Sequence, residues 1–213
     1  MNDRFRNLLS LGAAVAAGAL LAAGPASAVA PAAPATKTLA NLQAAYNGES
    51  NAKAKYLASA KKADAEGFGA DASLFRAAAR AEEVHAESHA RVIRKLGGEP
   101  VAKIETPAIA STKEALEAAI KGESYERDTM YPDFIAAARA EGQMDAVETF
   151  SLAKTAEAEH AKLYQAAMGE LKSGKSAAKK FYVCTVCGLT TTNLDFAKCR
   201  SCFQPKDKYV AVS

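Results

Sequence analysis

Two stretches of the chain set a glutamate and a histidine three positions apart: Glu82-x-x-His85 and, 75 residues later, Glu157-x-x-His160. On a helix, positions i and i+3 share a face, so each pair aims a carboxylate and an imidazole at one point. A second duplicated motif precedes each pair, Gly48-Glu49-Ser50 before the first and Gly122-Glu123-Ser124 before the second. Two helices that each bring a glutamate and two that each bring a Glu-x-x-His form the ligand set of a carboxylate-bridged di-iron or di-manganese four-helix bundle. Glu126 lies three residues after Glu123 on the same face, and its repeat partner is Ala52, so this carboxylate breaks the symmetry. Carboxylates at 49, 82, 123, 126 and 157 could not share an apolar interior without cations. Mixed oxygen and nitrogen ligands suit iron or manganese better than a thiolate-loving metal.

One Glu-x-x-His on an Ala-rich helix reads equally well as ordinary solvated surface. The duplication in register is what selects the metal reading. His89 shares the His85 face at i+4 but has no counterpart in the repeat, and it reads as a supporting or surface residue. Tyr56 and Tyr131 are repeat-related and lie roughly two turns beyond Glu49 and Glu123, as phenols beside the ligands or as plain core. Gly48 and Gly122 each precede a proposed ligand, where glycine costs about 1 kcal/mol relative to alanine in a helix. They suggest close helix approach or room near the metals.

A second site lies near the C-terminus. Cys184, Cys187, Cys199 and Cys202 form Cys-x2-Cys-x11-Cys-x2-Cys, the spacing of a tetrahedral four-thiolate site for iron or zinc. A module this short cannot stabilise itself by its core alone, so a metal must contribute. The alternative is two disulfides, which an exported protein would permit.

These residues need long helices to hold them. Ala-rich composition, 7% aromatics and no Trp favour helix over sheet. Helix A is expected over about 38–65. Helix B runs from about Asp71, as its N-cap, to Leu96, and Gly97-Gly98-Glu99-Pro100 stops it. A Pro- and Thr-rich crossover covers 99–110, much longer than the other turns. Ser111-x-x-Glu114 reads as a capping box opening helix C, which runs to about Glu141, and helix D covers about 144–171. The repeat offset is 74 between Glu49 and Glu123 but 75 between Tyr56 and Tyr131. One extra residue must therefore be absorbed in helix C, and a π-bulge near Pro132 would do it.

The first 28 residues read as a leader: Arg4 and Arg6, an apolar run, then Ala26-x-Ala28 as a cleavage site. Cleavage would leave a periplasmic or otherwise exported protein free of the membrane, and an uncleaved leader would anchor it. The expected organisation is leader 1–28, spacer 29–37, helical bundle 38–171, basic flexible linker 172–180 and cysteine module 181–213. A net charge of +3 with no basic patch interleaved with aromatics argues against nucleic acid.

Gly48-Glu49-Ser50, Glu82-x-x-His85, Gly122-Glu123-x-x-Glu126, Glu157-x-x-His160 and the two cysteine knuckles, in this order, resemble the rubrerythrin family over essentially the whole mature chain. The resemblance implies an all-α ferritin-like four-helix bundle with one long crossover, followed by a small metal-stabilised rubredoxin-like domain. It implies a di-iron peroxidase that reduces hydrogen peroxide to water, with electrons from a donor protein entering through a four-cysteine iron site. Glu82 and Glu157 would bridge the irons, while Glu49, Glu123, Glu126 and His160 would be terminal ligands. His85 would exchange with Glu126 as redox state changes, and Tyr56 and Tyr131 would support the ligands. A homodimer is also implied, with one subunit's cysteine module serving its partner's centre. Arg200 and Phe203 stand where many such knuckles have Pro and Gly. A ferritin-type ferroxidase lacks a need for the cysteine module, and a zinc-ribbon scaffold would lack an internal electron donor; these are the competing readings.

Overall fold

The computed structural model describes residues 36–105 and 108–213. The expected leader, and all of the expected spacer but its last two residues, lie outside the described residues. Four long helical segments are present. The first two are α1 (Lys37–Glu66) and α2 (Gly69–Lys95). The third is broken into α3 (Thr112–Tyr125), a π-turn over Glu126–Met130 and α4 (Tyr131–Ala140), and the fourth is α5 (Met144–Glu170).

The π-turn falls where the repeat offset changes, between Glu123 and Tyr131. Pro132 follows at the start of α4, where its missing N–H is tolerated. The α2 start differs from expectation. Gly67 takes a left-handed φ of 86° and closes α1 so tightly that α2 begins at Gly69, where Phe68 offers no side-chain cap and the distant Ser176 hydroxyl accepts from the Ala70 N–H at 3.1 Å instead. Asp71 therefore sits inside the first turn, where its carboxylate faces the positive end of the helix. The Ser111 side chain accepts from the Glu114 N–H at 3.2 Å, as the capping box predicts.

The two hairpins also cap one another. Glu66, at the end of α1, accepts from the Thr112 N–H and hydroxyl at 2.9 and 2.7 Å. Its repeat partner Glu141 accepts from the Lys37 and Thr38 N–H groups, both at 3.0 Å. Gly48 and Gly122 do not mark close approach: a Cβ at either would meet nothing within 4 Å. The close-approach expectation fails because both positions face open space.

Two apolar clusters fill the bundle. One gathers Tyr56, Phe75, Leu116 and Tyr164, and the other Leu42, Ile93, Tyr131 and Phe150. After α5 the chain does not run free. Ser176 exchanges backbone bonds with Gly67 and Gly69 at 3.1 and 2.8 Å, and Lys179 N–H donates to Ser73 Oγ at 3.3 Å. The basic stretch that reads as flexible is thus tied along the end of α1 and the start of α2 through the Ser176 and Lys179 N–H groups. The remainder is a three-stranded antiparallel sheet of order β2-β1-β3, from β1 (Phe181–Cys184), β2 (Thr190–Thr191) and β3 (Tyr209–Val212). Phe181 and Val183 of β1 join the Phe75 cluster, so the module shares the bundle's core.

Candidate metal centre

Helix periodicity brings Glu49 from α1, Glu82 and His85 from α2, Glu123 from α3, and Glu157 and His160 from α5 to one buried place. Each is at most 2% exposed. They form two four-residue groups, Glu49–Glu82–His85–Glu157 and Glu82–Glu123–Glu157–His160, with one ligand atom from each residue within 4.8 Å of the others. Glu82 and Glu157 belong to both groups. His85 Nδ1 lies 2.8 Å from Glu82 and 3.0 Å from Glu157. His160 Nδ1 lies 2.9 Å from Glu157 and 3.6 Å from both Glu82 and Glu123.

The protein alone does not satisfy this cluster. Glu49 Oε2, Glu82 Oε1, Glu123 Oε2, both Glu157 oxygens and His160 Nδ1 are buried without hydrogen-bond partners. Orphaned buried carboxylate oxygens are costly and native proteins avoid them, so the residues present fit a pair of cations. The titration behaviour agrees. Burial, followed by the Glu82 charge, pushes Glu123 up to about 8. Burial likewise raises Glu49 far above the carboxylate range, with Glu82 and Glu157 adding to it. At Glu157 burial acts upward, but the two imidazoles outweigh it and hold the group at about 2.

Glu126 opens the π-turn and belongs to neither group. Its carboxyl is nevertheless raised well above the usual range, first by burial and then by Glu49 and Glu123. It stands beside the cluster as a further carboxylate. Tyr56 donates to Glu123 at 2.6 Å and Tyr131 donates to Glu49, so the repeat-related phenols each reach across to the other hairpin's glutamate. His89 is not a surface residue. It is fully buried, bonded to Tyr131, and burial holds its pKa down to about 3. Its position does have a repeat partner, Tyr164, whose ring packs on Tyr56 at 5.5 Å. Only the change of residue type hid the correspondence.

The cysteine module lies over the same centre. His85 Nε2 donates to the Cys187 carbonyl at 3.1 Å, and His160 Nε2 bonds the Thr190 hydroxyl at 3.0 Å. A proton on Nε2 leaves Nδ1 bare toward the carboxylates, which is the tautomer a metal needs. Gly188, at φ +74°, permits this approach: a Cβ there would fall 2.2 Å from His85 Nε2. Neither Thr190 nor Gly188 carries a sequence signal beyond its closeness to Cys187.

The four cysteines converge without disulfides, since the nearest Sγ pairs are 3.6 and 3.7 Å apart. Disulfide sulfurs are about 2.05 Å apart, whereas four sulfurs at about 2.3 Å from one tetrahedral ion are about 3.8 Å apart. Tyr209 donates to Cys199 Sγ at 3.1 Å. Phe203, after the fourth cysteine, holds a left-handed φ of 58°. That is the backbone reason a glycine suits the position.

The rubrerythrin family model matches residues 40–168, which carry the whole Glu/His cluster. The chain belongs to the rubrerythrin family. It is 40% identical over 175 residues to nigerythrin of Nitratidesulfovibrio vulgaris, covering 82% of this chain and 86% of that one. It is 35% identical to rubrerythrin-2 of Clostridium acetobutylicum, covering 80% and 94%. The solved structure of fully reduced, all-ferrous nigerythrin superposes with a TM-score of 0.76 at 38% identity, over 86% of this chain and 91% of that one. This rubrerythrin-family chain therefore has the family's di-iron site, and its cysteine cluster fits a rubredoxin-like iron site.

Proposed function

We propose that the protein is a non-haem di-iron peroxidase that reduces hydrogen peroxide to water, drawing electrons from a donor protein through its four-cysteine site. The observation that carries this reading is the direct contact between the two sites, His85 Nε2 to the Cys187 carbonyl, within one chain. An iron store has no use for such a connection. Bound iron would supply the two electrons that peroxide reduction consumes and the Lewis acidity that polarises the substrate.

The chain's own residues divide the remaining work. Glu82 and Glu157, shared by both groups, would hold both ions. Glu49 and His85 would complete one end, and Glu123 and His160 the other. The docked module fixes both imidazole tautomers and excludes water from above. Glu126 would be the spare carboxylate beside the centre, available to hold an ion in place of His85. The π-turn supports this role, because a wide turn gives its first residue a carbonyl ladder easily rearranged. The protein acts outside the cytoplasm if residues 1–28 direct export. The resemblance implies a homodimer in which one subunit's module serves its partner's centre; the contact of His85 with Cys187 of the same chain supports instead a homodimer in which each module serves its own centre.

Two measurements test this. The iron-loaded, reduced protein should reoxidise at the helical centre faster with peroxide than with oxygen. Iron that responds only to oxygen would favour a ferroxidase instead. Glu126→Ala should retain fold and iron but lose about a hundredfold in peroxide turnover, the lower range for a positioned acid–base or ligand group. Unchanged turnover would remove Glu126 from the mechanism.

A further inference from the structure

The Tyr209 hydroxyl donates to Cys199 Sγ at 3.1 Å, and both residues are buried. Tyr209 opens β3 in register with Cys184, and its ring stands edge-on to Phe196 with centroids 5.3 Å apart. Strand pairing and the Phe196 contact together aim the hydroxyl at the sulfur. The knuckle backbones supply donors as well: the Val186 and Cys187 N–H groups to Cys184, the Leu189 N–H to Cys187 and the Gln204 N–H to Cys202. Those donors come with the fold of the knuckles, whatever side chains they carry. The phenol does not. Among the described residues it is the one side-chain hydroxyl bonded to a cysteine sulfur.

Packing does not call for that hydroxyl. The module's apolar cluster around Tyr209 includes Leu189, Leu194 and Phe196. A phenylalanine would fill the same space without burying a polar group. The bond also lies off the route proposed for electrons. Cys202 is the one cysteine that is not buried, and Cys187 is the one whose carbonyl meets His85. What a donor at Cys199 can alter is the charge balance of the site. Iron held by four thiolates carries one more negative charge when ferrous than when ferric. An O–H aimed at a buried sulfur therefore stabilises the ferrous state more than the ferric one.

We propose that Tyr209 raises the reduction potential of the four-cysteine site through its bond to Cys199. The step it tunes is the uptake of one electron from the oxidised donor protein's reduced partner form, the donor losing the electron that the iron gains. All four thiolates stay in place, and the phenol keeps its proton. Tyr209 thereby favours filling of the site and lessens the drive to pass the electron on to the helical centre. The inference rests on the iron reading of the cysteine site, and its consequence for turnover rests on the peroxidase reading.

Tyr209→Phe removes the hydroxyl and keeps the ring. A redox titration of the cysteine-site colour in the iron-loaded full chain should give a lower midpoint than the parent's. At a fixed poise the ratio of reduced to oxidised sites should fall about tenfold, which is about 59 mV for a one-electron couple. The sign separates tuning from damage: a loosened module admits water, which favours the more highly charged ferrous state and moves the midpoint up. A Y209F midpoint equal to or above the parent's would overturn the proposal. Resonance Raman spectra of the oxidised site give a second answer. Between samples reconstituted in H2O and in D2O, the iron–sulfur stretching bands of the parent should shift by more than those of Y209F, and equal shifts would overturn the bond to Cys199. A cysteine site that takes zinc and refuses iron would overturn the inference together with the iron reading. A parent helical centre that peroxide does not reoxidise would sink the peroxidase reading instead, and the midpoints and band shifts would still decide the role of Tyr209.

Discussion

Phe203 shows how a single residue type can stand against its backbone. It follows Cys202 at φ 58°, while Gly188 holds the matching place after Cys187 at φ 74°. A side chain in the left-handed region costs about 1–2 kcal/mol. The Phe203 ring is 72% exposed, so packing returns little of that cost. Phe203→Gly should therefore stabilise the module by about 1 kcal/mol, after allowing for the greater freedom of glycine in the unfolded chain. The denaturant midpoint for loss of the cysteine-site chromophore would show it, and an unchanged or lowered midpoint would mean that the ring makes contacts worth keeping. The departure from glycine was plain in the sequence, but its cost was not, because φ is set by how the knuckle folds around four sulfurs. The same division holds at the centre. The six clustered Glu and His residues were legible because each half repeats the other. Thr149 and Thr190 are solitary polar residues whose partners, His89 and His160, come from other segments.

At the scale of elements, the π-turn was the most legible irregularity. A one-residue change of offset between Glu123 and Tyr131 leaves a helix few other ways to keep both residues facing inward. The reciprocal Glu66 and Glu141 caps had the same repeat behind them, yet a glutamate at a helix end looks solvated until its partner helix is placed. The stretch 172–180 was misread for a related reason: Lys, Ser and Gly suggest freedom, while the backbone donors of the α2 start supply the binding. What that docking holds in place is the Gly188 contact. Gly188→Ala would demand a left-handed alanine and put its Cβ on His85. Both metal sites should still fill, because neither loses a ligand. Reduction of the helical centre through the cysteine site should slow by at least about tenfold, as the 3.1 Å bond from His85 to Cys187 opens. Stopped-flow reduction of the loaded variant would measure this, and a parent-like rate would mean that electrons do not depend on the contact.

For the whole molecule, the metal-free bundle holds protons where the metal-loaded bundle holds iron. Burial and neighbouring carboxylates keep Glu123 at about 8 and Glu49 well above its usual range. Burial alone would lower His85 and His160, but Glu157 beside His85 and Glu123 beside His160 outweigh it and raise both. At neutral pH these groups therefore carry protons that the ions must displace. The sign follows from the raised values. Binding is weakest in acid, where every displaced proton must be removed against its pKa, and it tightens as pH rises toward about 8, where Glu123 ionises unaided. Glu157, held at about 2, stays ionised throughout and contributes nothing to this slope. Iron(II) affinity at the helical centre, measured anaerobically between about pH 6 and 8, should rise at least about tenfold per pH unit, the slope for one displaced proton. Proton release in weak buffer should accompany it. An affinity independent of pH would mean that the carboxylates are already ionised in the metal-free chain, and that something other than protons then balances the buried charge.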